Sequence, residues 1–416
     1  MLKKENLPTD SYKGVRDFYP EDQALQRYMF ATMREIVERF GYVEYHASIL
    51  ESAELYKAKG AENEELVNEQ TYTFTDRGGR EVTLRPEMTP TVARMVAARK
   101  RELGFPLRYY SIPNLFRYER PQRGRLREHW QLNVDIFGSR SAAADAEIIA
   151  VAHAILIAFG ASQNDFSIRV GSRAFLDSLT QKLELTPEQA KMLRNLLDRR
   201  AKISEEEFKD GFKALGVELT DLSPDNAPSD IATVLSLLKE MGVENAEFDP
   251  GIVRGFDYYT GIVFEVFDKH PENNRAMLGG GRYDNLLSLF DNKESLSGVG
   301  FGMGDVTIQD FLRVRGFIPP YVPTTKVYVA LAAPDIVQET FKLVGELRAQ
   351  GVNVAMDFGE KRLSDQIKAA TKHKIPYSMV VGQNEFASNQ FTVRDLASGD
   401  EKKLSREELA NFFLNL

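Results

Sequence analysis

Residues 254–261 read Arg-Gly-Phe-Asp-Tyr-Tyr-Thr-Gly, and residues 278–286 read Leu-Gly-Gly-Gly-Arg-Tyr-Asp-Asn-Leu. Arginine grips phosphate or carboxylate with a planar fork and stays charged. Tyrosine offers a ring wall with one hydroxyl, and glycine lets backbone approach a ligand closely. A third cluster is Arg117-Tyr118-Glu119, followed by the basic run Pro121-Gln122-Arg123-Gly124-Arg125-Leu126-Arg127. Together these residues suit a polyanion held beside a small polar ligand, as in activation of a carboxylate by ATP. That chemistry bends and neutralises a polyphosphate, aligns the attacking oxygen with the α-phosphorus, and stabilises the charge that develops there.

Such side chains need rigid elements beneath them. In 128–136, Trp130, Leu132, Val134 and Ile136 alternate with His129, Gln131, Asn133 and Asp135. This spacing predicts a strand with one apolar and one polar face. Solvent is the ordinary cover for a polar face, but arginines at one end and Asp135 at the other favour a ligand. Segment 107–120 alternates more weakly, with Tyr110, Ile112, Phe116 and Tyr118 on one side. Two antiparallel strands joined by the basic loop are the simplest arrangement. Residues 22–40 and 89–101 have helical spacing, Tyr72–Phe74 and Glu81–Leu84 read as strands about a turn, and 42–50 looks extended.

Residues 174–248 are rich in Leu, Lys, Glu and Asp at helical spacing, which predicts a helical insertion. Strand character returns at 251–267, and 306–314 reads as a helix. The stretch Gly316-Phe-Ile-Pro-Pro-Tyr-Val-Pro-Thr-Thr325 is a stiff linker. Beyond it, strands at 326–331, 353–356 and 377–381 alternate with helices at 335–350 and 363–372. That order predicts a separate α/β domain with a largely parallel sheet.

A chain of 416 residues is expected to form two to four domains. With no cysteine, disulfides and thiolate metal sites are excluded. The first ten residues lack the apolar core of a signal peptide, and the run 148–162 is interrupted by His153 and too short to span a bilayer. A cytoplasmic protein without a membrane partner is therefore expected. The net charge of −8 argues against a generic basic nucleic-acid binder. Yet Asp76–Glu128 carries thirteen Lys/Arg against six Asp/Glu, which suits a phosphate-rich ligand in one cleft as well as a solvated face. Residues 325–416 carry twelve of each sign, so any nucleic-acid contact there comes from local patches such as Lys361, Arg362, Lys368 and Lys372.

These motifs closely resemble those of the histidyl-tRNA synthetase family. Arg117, Glu119 and the basic loop resemble motif 2 of class II aminoacyl-tRNA synthetases. Lys13-Gly-Val-Arg-Asp-Phe-Tyr-Pro20 is similar to the family's opening motif, Arg85-Pro86-Glu87-Met88-Thr89 to its Arg-Pro-Glu-x-Thr element, and 254–261 and 278–286 to its two histidine motifs. Each element alone is weak, but their joint order is specific. The resemblance implies an α/β chain: a catalytic domain with a mixed, mainly antiparallel sheet in two parts (1–172 and 249–320), a helical insertion at 173–248, and an anticodon-binding domain at 325–416.

The resemblance also implies roles. Arg117 and Arg254 would be catalytic at the α-phosphate. Glu119, Arg125 and His129 would hold ATP with Arg117, His129 standing where relatives stack an aromatic on adenine. Glu87, Thr89 and Gln131 would meet the amino acid's ammonium group. Asp135 and Tyr259 would address its imidazole, with Tyr258, Tyr283 and Gly280 as pocket wall. Arg123, Arg125 and Arg127 would face the tRNA end. Implied partners are L-histidine, ATP with Mg²⁺, tRNA-His and a second copy of the chain in a homodimer.

Three positions depart from the family pattern. In Val299-Gly-Phe-Gly-Met-Gly304-Asp305-Val306-Thr307, Thr307 stands where motif 3 has an ATP-contacting arginine. Such a loss costs about 1.5–3 kcal/mol unless another arginine, Arg282 being a candidate, compensates. Ser48 stands in place of the motif 1 proline, and Ser364-Asp365 in place of a lysine pair. The activity implied is ligation of histidine to its tRNA through histidyl-adenylate. The alternative is a non-catalytic relative acting as regulatory subunit of ATP phosphoribosyltransferase, a class that typically lacks the C-terminal domain. A bare RNA-binding module would leave Glu87 and the tyrosine motifs without a purpose.

Overall fold

The computed structural model describes residues 7–57, 70–198, 203–217, 227–252, 258–273, 276–285, 288, 290, 296–359 and 361–416. Two compact units result, Met1–Pro319 and Pro320–Leu416.

The first unit is organised on a nine-stranded sheet. Across it run Val43–Glu44, Leu107–Ser111, Glu128–Phe137, Gly298–Gly304, Ala276–Arg282, Ile262–Asp268, Phe166–Ser172 and Ala246–Phe248, with Asn114–Phe116 pairing beside Glu128–Phe137. Only the outermost pairings are parallel; the inner ones are antiparallel. The alternation in 128–136 is realised: Leu132, Val134 and Ile136 are buried in the core under the sheet. The expected partner strand breaks at Ile112-Pro113 into Leu107–Ser111 and Asn114–Phe116, as proline cannot donate to the ladder.

Helices Pro20–Arg39, Ala142–Ala158, Ser229–Glu240 and Asp305–Arg315 all bury side chains in this core. Helix Pro20–Arg39 begins with proline at its first turn and buries Met29, Met33, Ile36 and Val37, a 4-3-1 spacing that makes one stripe. Helix Ala142–Ala158 is capped by Ser141, whose hydroxyl accepts from the Ala143 N–H, and is buried on most sides. It accounts for the long apolar run. Each large aliphatic side chain so buried contributes about 1.5–3 kcal/mol.

The segment 173–248 divides. Arg173–Lys182, Pro187–Asp198 and Glu205–Leu215 form a small satellite core through Leu176, Leu193, Phe208 and Phe212. Ser229–Glu240 and Ala246–Phe248, expected with them, instead send Ile231, Val234, Leu238 and Phe248 into the core of the large sheet. Helical spacing alone does not reveal which core a stripe joins.

In the second unit the strand order is Val354–Met356, Val327–Leu331, Tyr377–Val381, Gln390–Asp395, Glu401–Ser405. The first three are parallel and the last two antiparallel, so the sheet is mixed rather than largely parallel. The missed hairpin turns on Asp395, whose carboxylate accepts from the Ala397 and Ser398 N–H groups, and on Gly399 at φ +83°.

Candidate active site

The polar face of Glu128–Phe137 floors two adjoining cavities that share Arg117, Gln131, Gly279 and Gly302 in their walls. The smaller, about 120 Å³, gathers Glu87, Thr89, Gln131, Asp135, Tyr258, Tyr259 and Tyr283. The larger, about 260 Å³, gathers Arg117, Glu119, Arg125, His129 and Gln131. Residues scattered over nearly 200 positions thus converge on one strand and its neighbours.

Glu87 sits just before helix Thr89–Arg99 and is 3% exposed. Its neighbour Arg85 is a brace: the guanidinium donates to the carbonyls of Asn114 and Ala47 at 3.0 and 2.8 Å and to Asn114 Oδ1 at 3.3 Å. This ties the Arg-Pro-Glu element to the strand beside it. Arg117 Nε donates to the Pro86 carbonyl at 2.9 Å, which holds that arginine at the junction of the cavities.

Asp135 is enclosed, and the Tyr283 hydroxyl donates to its Oδ1. Burial pushes the Asp135 carboxyl up to about 7, with the Tyr283 hydrogen bond pulling down. Burial, and then the Asp135 charge, raise the Tyr283 hydroxyl well above its ordinary value. The tyrosine on Asp135 is therefore Tyr283; Tyr259 lines the cavity with Tyr258, their ring centroids 4.7 Å apart. Gln131 Nε2 donates to Asn133 Oδ1 at 2.7 Å, so the next polar residue on the strand orients it.

The glycines act by parity. A Cβ on Gly280 would lie 2.0 Å from the Gly300 carbonyl, so this glycine, expected in the pocket wall, faces the adjacent strand, and Gly279 lines the cavities instead. A Cβ on Gly300 would lie 2.2 Å from Asp135 Oδ1, and one on Gly302 2.4 Å from Gln131 Nε2. Asn133, Gly300, Gly302 and Glu265, the last lining the larger cavity, were not singled out from sequence. The strict alternation of 128–136 carried the signal for Asn133.

In the larger cavity Glu119 Oε2 lies 3.5 Å from Arg125 NH1, and Glu119 Oε1 lies 3.9 Å from Arg117 NH1. Burial, then the charges of Arg117 and Arg16, bring His129 down to about 3, so its imidazole is neutral. Thr307 Oγ1 shares its one proton between the Met277 and Gly304 carbonyls at 2.8 and 3.0 Å. Arg282 does not compensate for the missing arginine. Its Nε and NH2 donate to Asp145 at 2.9 and 2.7 Å and its NH1 to the Ser139 carbonyl at 2.7 Å, outside both cavities.

The basic loop is heterogeneous. Arg123 is exposed, 3.5 Å from Asp310. Arg127, expected at the tRNA end, is instead 8% exposed, stacked 4.0 Å over the Tyr118 ring, and donates to the Glu119 carbonyl. It braces the loop. Arg254 lies outside the described residues. Among the described residues no cluster of three or more His, Asp or Glu suits a resident metal, and no helix is long and apolar enough to cross a membrane.

Comparison with known proteins follows this geometry. The sequence profile described as histidyl-tRNA synthetase matches residues 14–214 and 207–306, and that of the anticodon binding domain matches 326–416. The chain is 41% identical to a histidine–tRNA ligase of Leptospira biflexa and 37% to one of Thermoplasma volcanium, covering 98% of each partner in both cases. Its fold is that of histidyl-tRNA synthetase from Nostoc (TM-score 0.83, 24% identity, 99% of this chain and 100% of that one). A Bacillus halodurans structure titled as an ATP phosphoribosyltransferase regulatory subunit/histidyl-tRNA synthetase shares the fold at TM-score 0.72 and 24% identity, over 88% of this chain and 97% of that one. With its catalytic body and its C-terminal domain both matched, the chain belongs to the histidyl-tRNA synthetase family.

Proposed function

We propose a division of labour for this chain, which its family membership makes a histidine–tRNA ligase using ATP as a substrate. The smaller cavity takes histidine. Glu87 and Thr89 receive its ammonium group with Gln131, and Asp135 accepts an imidazole N–H while Tyr283 holds the carboxylate in place. Tyr258 and Tyr259 wall the ring. The larger cavity takes ATP, with His129 against the adenine, Glu119 at its amino group, and Arg117 and Arg125 on the phosphates. A histidine carboxylate oxygen then attacks the α-phosphorus, the bond to the β-phosphate oxygen breaks, and pyrophosphate leaves. Arg117 and Arg254 stabilise the charge that builds on the phosphoryl oxygens. In the second step a terminal ribose hydroxyl of tRNA-His attacks the carbonyl of histidyl-adenylate and AMP leaves.

Mg²⁺ would enter with ATP; the carboxylate of Glu265 in the larger cavity suits a hard cation. Arg123, exposed and 3.5 Å from Asp310, serves the acceptor end of the tRNA in this reading, and the C-terminal domain the anticodon. A homodimer belongs to the same reading. Cytoplasmic residence accords with this chemistry.

The observation that carries the proposal is the adjacency of the two cavities with Arg117 and Gln131 in their shared wall. Histidine-dependent ATP–pyrophosphate exchange tests it, with other amino acids as controls. Exchange with histidine alone is expected, and loss of exchange in Arg254→Ala with tRNA affinity kept. Histidine binding without exchange would favour the regulatory-subunit alternative.

A further inference from the structure

The larger cavity lacks the usual motif 3 arginine, yet its two walls are tied by another. Strand Glu128–Phe137 and strand Gly298–Gly304 pair up to Gln131 and Gly304, where the second strand turns into helix Asp305–Arg315. The next N–H, that of Trp130, donates to Asp305 Oδ1 at 3.0 Å, so a side-chain carboxylate prolongs the ladder by one step. The other oxygen, Oδ2, accepts from Arg16 NH2 at 2.7 Å. Arg16 comes from the opening motif, 289 residues away in sequence. Its guanidinium lies 5.0 Å from the Phe18 ring centre and 5.9 Å from that of Trp130, and these two rings meet edge to face.

Trp130 and Asp305 both touch the cavity wall through their neighbours. Trp130 sits between His129 and Gln131, and Asp305 between Gly304 and Val306-Thr307, all of which line the cavity. The Arg16 charge reaches the cavity too, since it helps hold His129 neutral. The arrangement is a costly one for mere stability. Arg16 Nε is buried with no hydrogen-bond partner, and Asp305 is 3% exposed. Buried ion pairs add little stability over apolar packing but can fix one geometry.

We propose that Arg16 is a positioning residue of the nucleotide cavity. Its ion pair with Asp305 clamps the strand end bearing His129 to the helix start bearing Val306 and Thr307, and so sets the cleft that receives the adenine. The clamp supplies by geometry part of what the missing arginine supplies elsewhere by contact. This rests on reading the larger cavity as the ATP site.

The test is calorimetric titration of the full chain with ATP and, separately, with histidine, alongside ATP–pyrophosphate exchange. Arg16→Ala is expected to weaken ATP about tenfold, the scale of a small misplacement of binding groups, and to leave histidine affinity unchanged. Arg16→Lys keeps a charge beside Asp305 and restores most of the loss. Asp305→Asn keeps an acceptor for the Trp130 N–H, drops the ion pair, and weakens ATP by a smaller factor; if Arg16→Ala does not fold, these two variants carry the test. The double variant Arg16→Ala/Asp305→Asn is expected to be no worse than Arg16→Ala. Folded variants with unchanged ATP affinity would overturn the clamp, as would equal losses for ATP and histidine. A wild-type chain that binds no ATP overturns both clamp and cavity assignment. One that binds ATP but catalyses no exchange sinks the activity alone, and the ATP titrations still decide the clamp.

Discussion

In the smaller cavity Asp135 is enclosed and its carboxylate already holds the Tyr283 hydroxyl, whereas in the larger one Arg125 has a side chain 59% exposed and meets Glu119 only at 3.5 Å. The first is wired before any ligand arrives. The second relies on exposed charge at an open mouth. The contrast follows from what each must recognise. An imidazole differs from its competitors by the placement of two nitrogens, and only a buried, paired acceptor rejects a ligand that cannot use it. A polyphosphate is recognised by charge, which acts at longer range and tolerates looser geometry.

If that contrast is right, damage to the wired side should cost far more than change on the charged side. Asp135→Ala is expected to lower kcat/KM for histidine in pyrophosphate exchange by about 10³-fold or more, with ATP affinity kept. Equal loss on both substrates would mean the cavities are not separable. Gly300→Ala forces a methyl into the space 2.2 Å from Asp135 Oδ1. We expect about a 10²-fold loss for histidine from that displacement, read in the same assay.

Tyr283→Phe should cost about tenfold, the worth of one hydrogen bond to a charged group, and should also move a pH profile. Asp135 is a carboxyl raised by burial to about 7, above an unfolded value of about 4. It holds its proton more tightly when folded, so the stability it contributes is full below about pH 4 and is lost as pH rises through about 7. Its ionised form accepts the imidazole N–H, so histidine affinity rises over the same window. The Tyr283 hydroxyl lowers the Asp135 value, so its removal shifts that rise to higher pH. A profile unchanged in Tyr283→Phe would break the assignment of Asp135 as the titrating group. His129, neutral down to about pH 3, adds no step there.

The smallest effect is a gain. Thr307→Arg returns a guanidinium to the larger cavity at the expense of the hydrogen bonds to the Met277 and Gly304 carbonyls. ATP KM is expected to fall severalfold, less than the roughly tenfold a charged hydrogen bond alone would bring. A rise in ATP KM would mean that the methyl surface of Thr307 is itself part of the adenine site.

Much of this was legible in the chain. Alternation over 128–136 placed His129, Gln131, Asn133 and Asp135 on one face, because a pleated strand leaves no other choice. The arginine, tyrosine and glycine motifs named the chemistry and, through their order, the family. Helical spacing located helix Pro20–Arg39 and the helical character of 174–248. These are short-range facts, fixed by backbone geometry within a few residues.

What the chain did not reveal was which of several like residues does which task. Arg117, Arg127 and Arg282 have the same side chain, yet one stands between two cavities, one lies beneath Tyr118 and one is spent on Asp145. Gly279 and Gly280 differ only in strand parity, and Tyr283 meets Asp135 across 148 positions. Arg16 and Asp305 find each other across 289. A side chain's role depends on the dielectric and the partners around it, and those are assembled by packing between segments that the order of residues does not bring together.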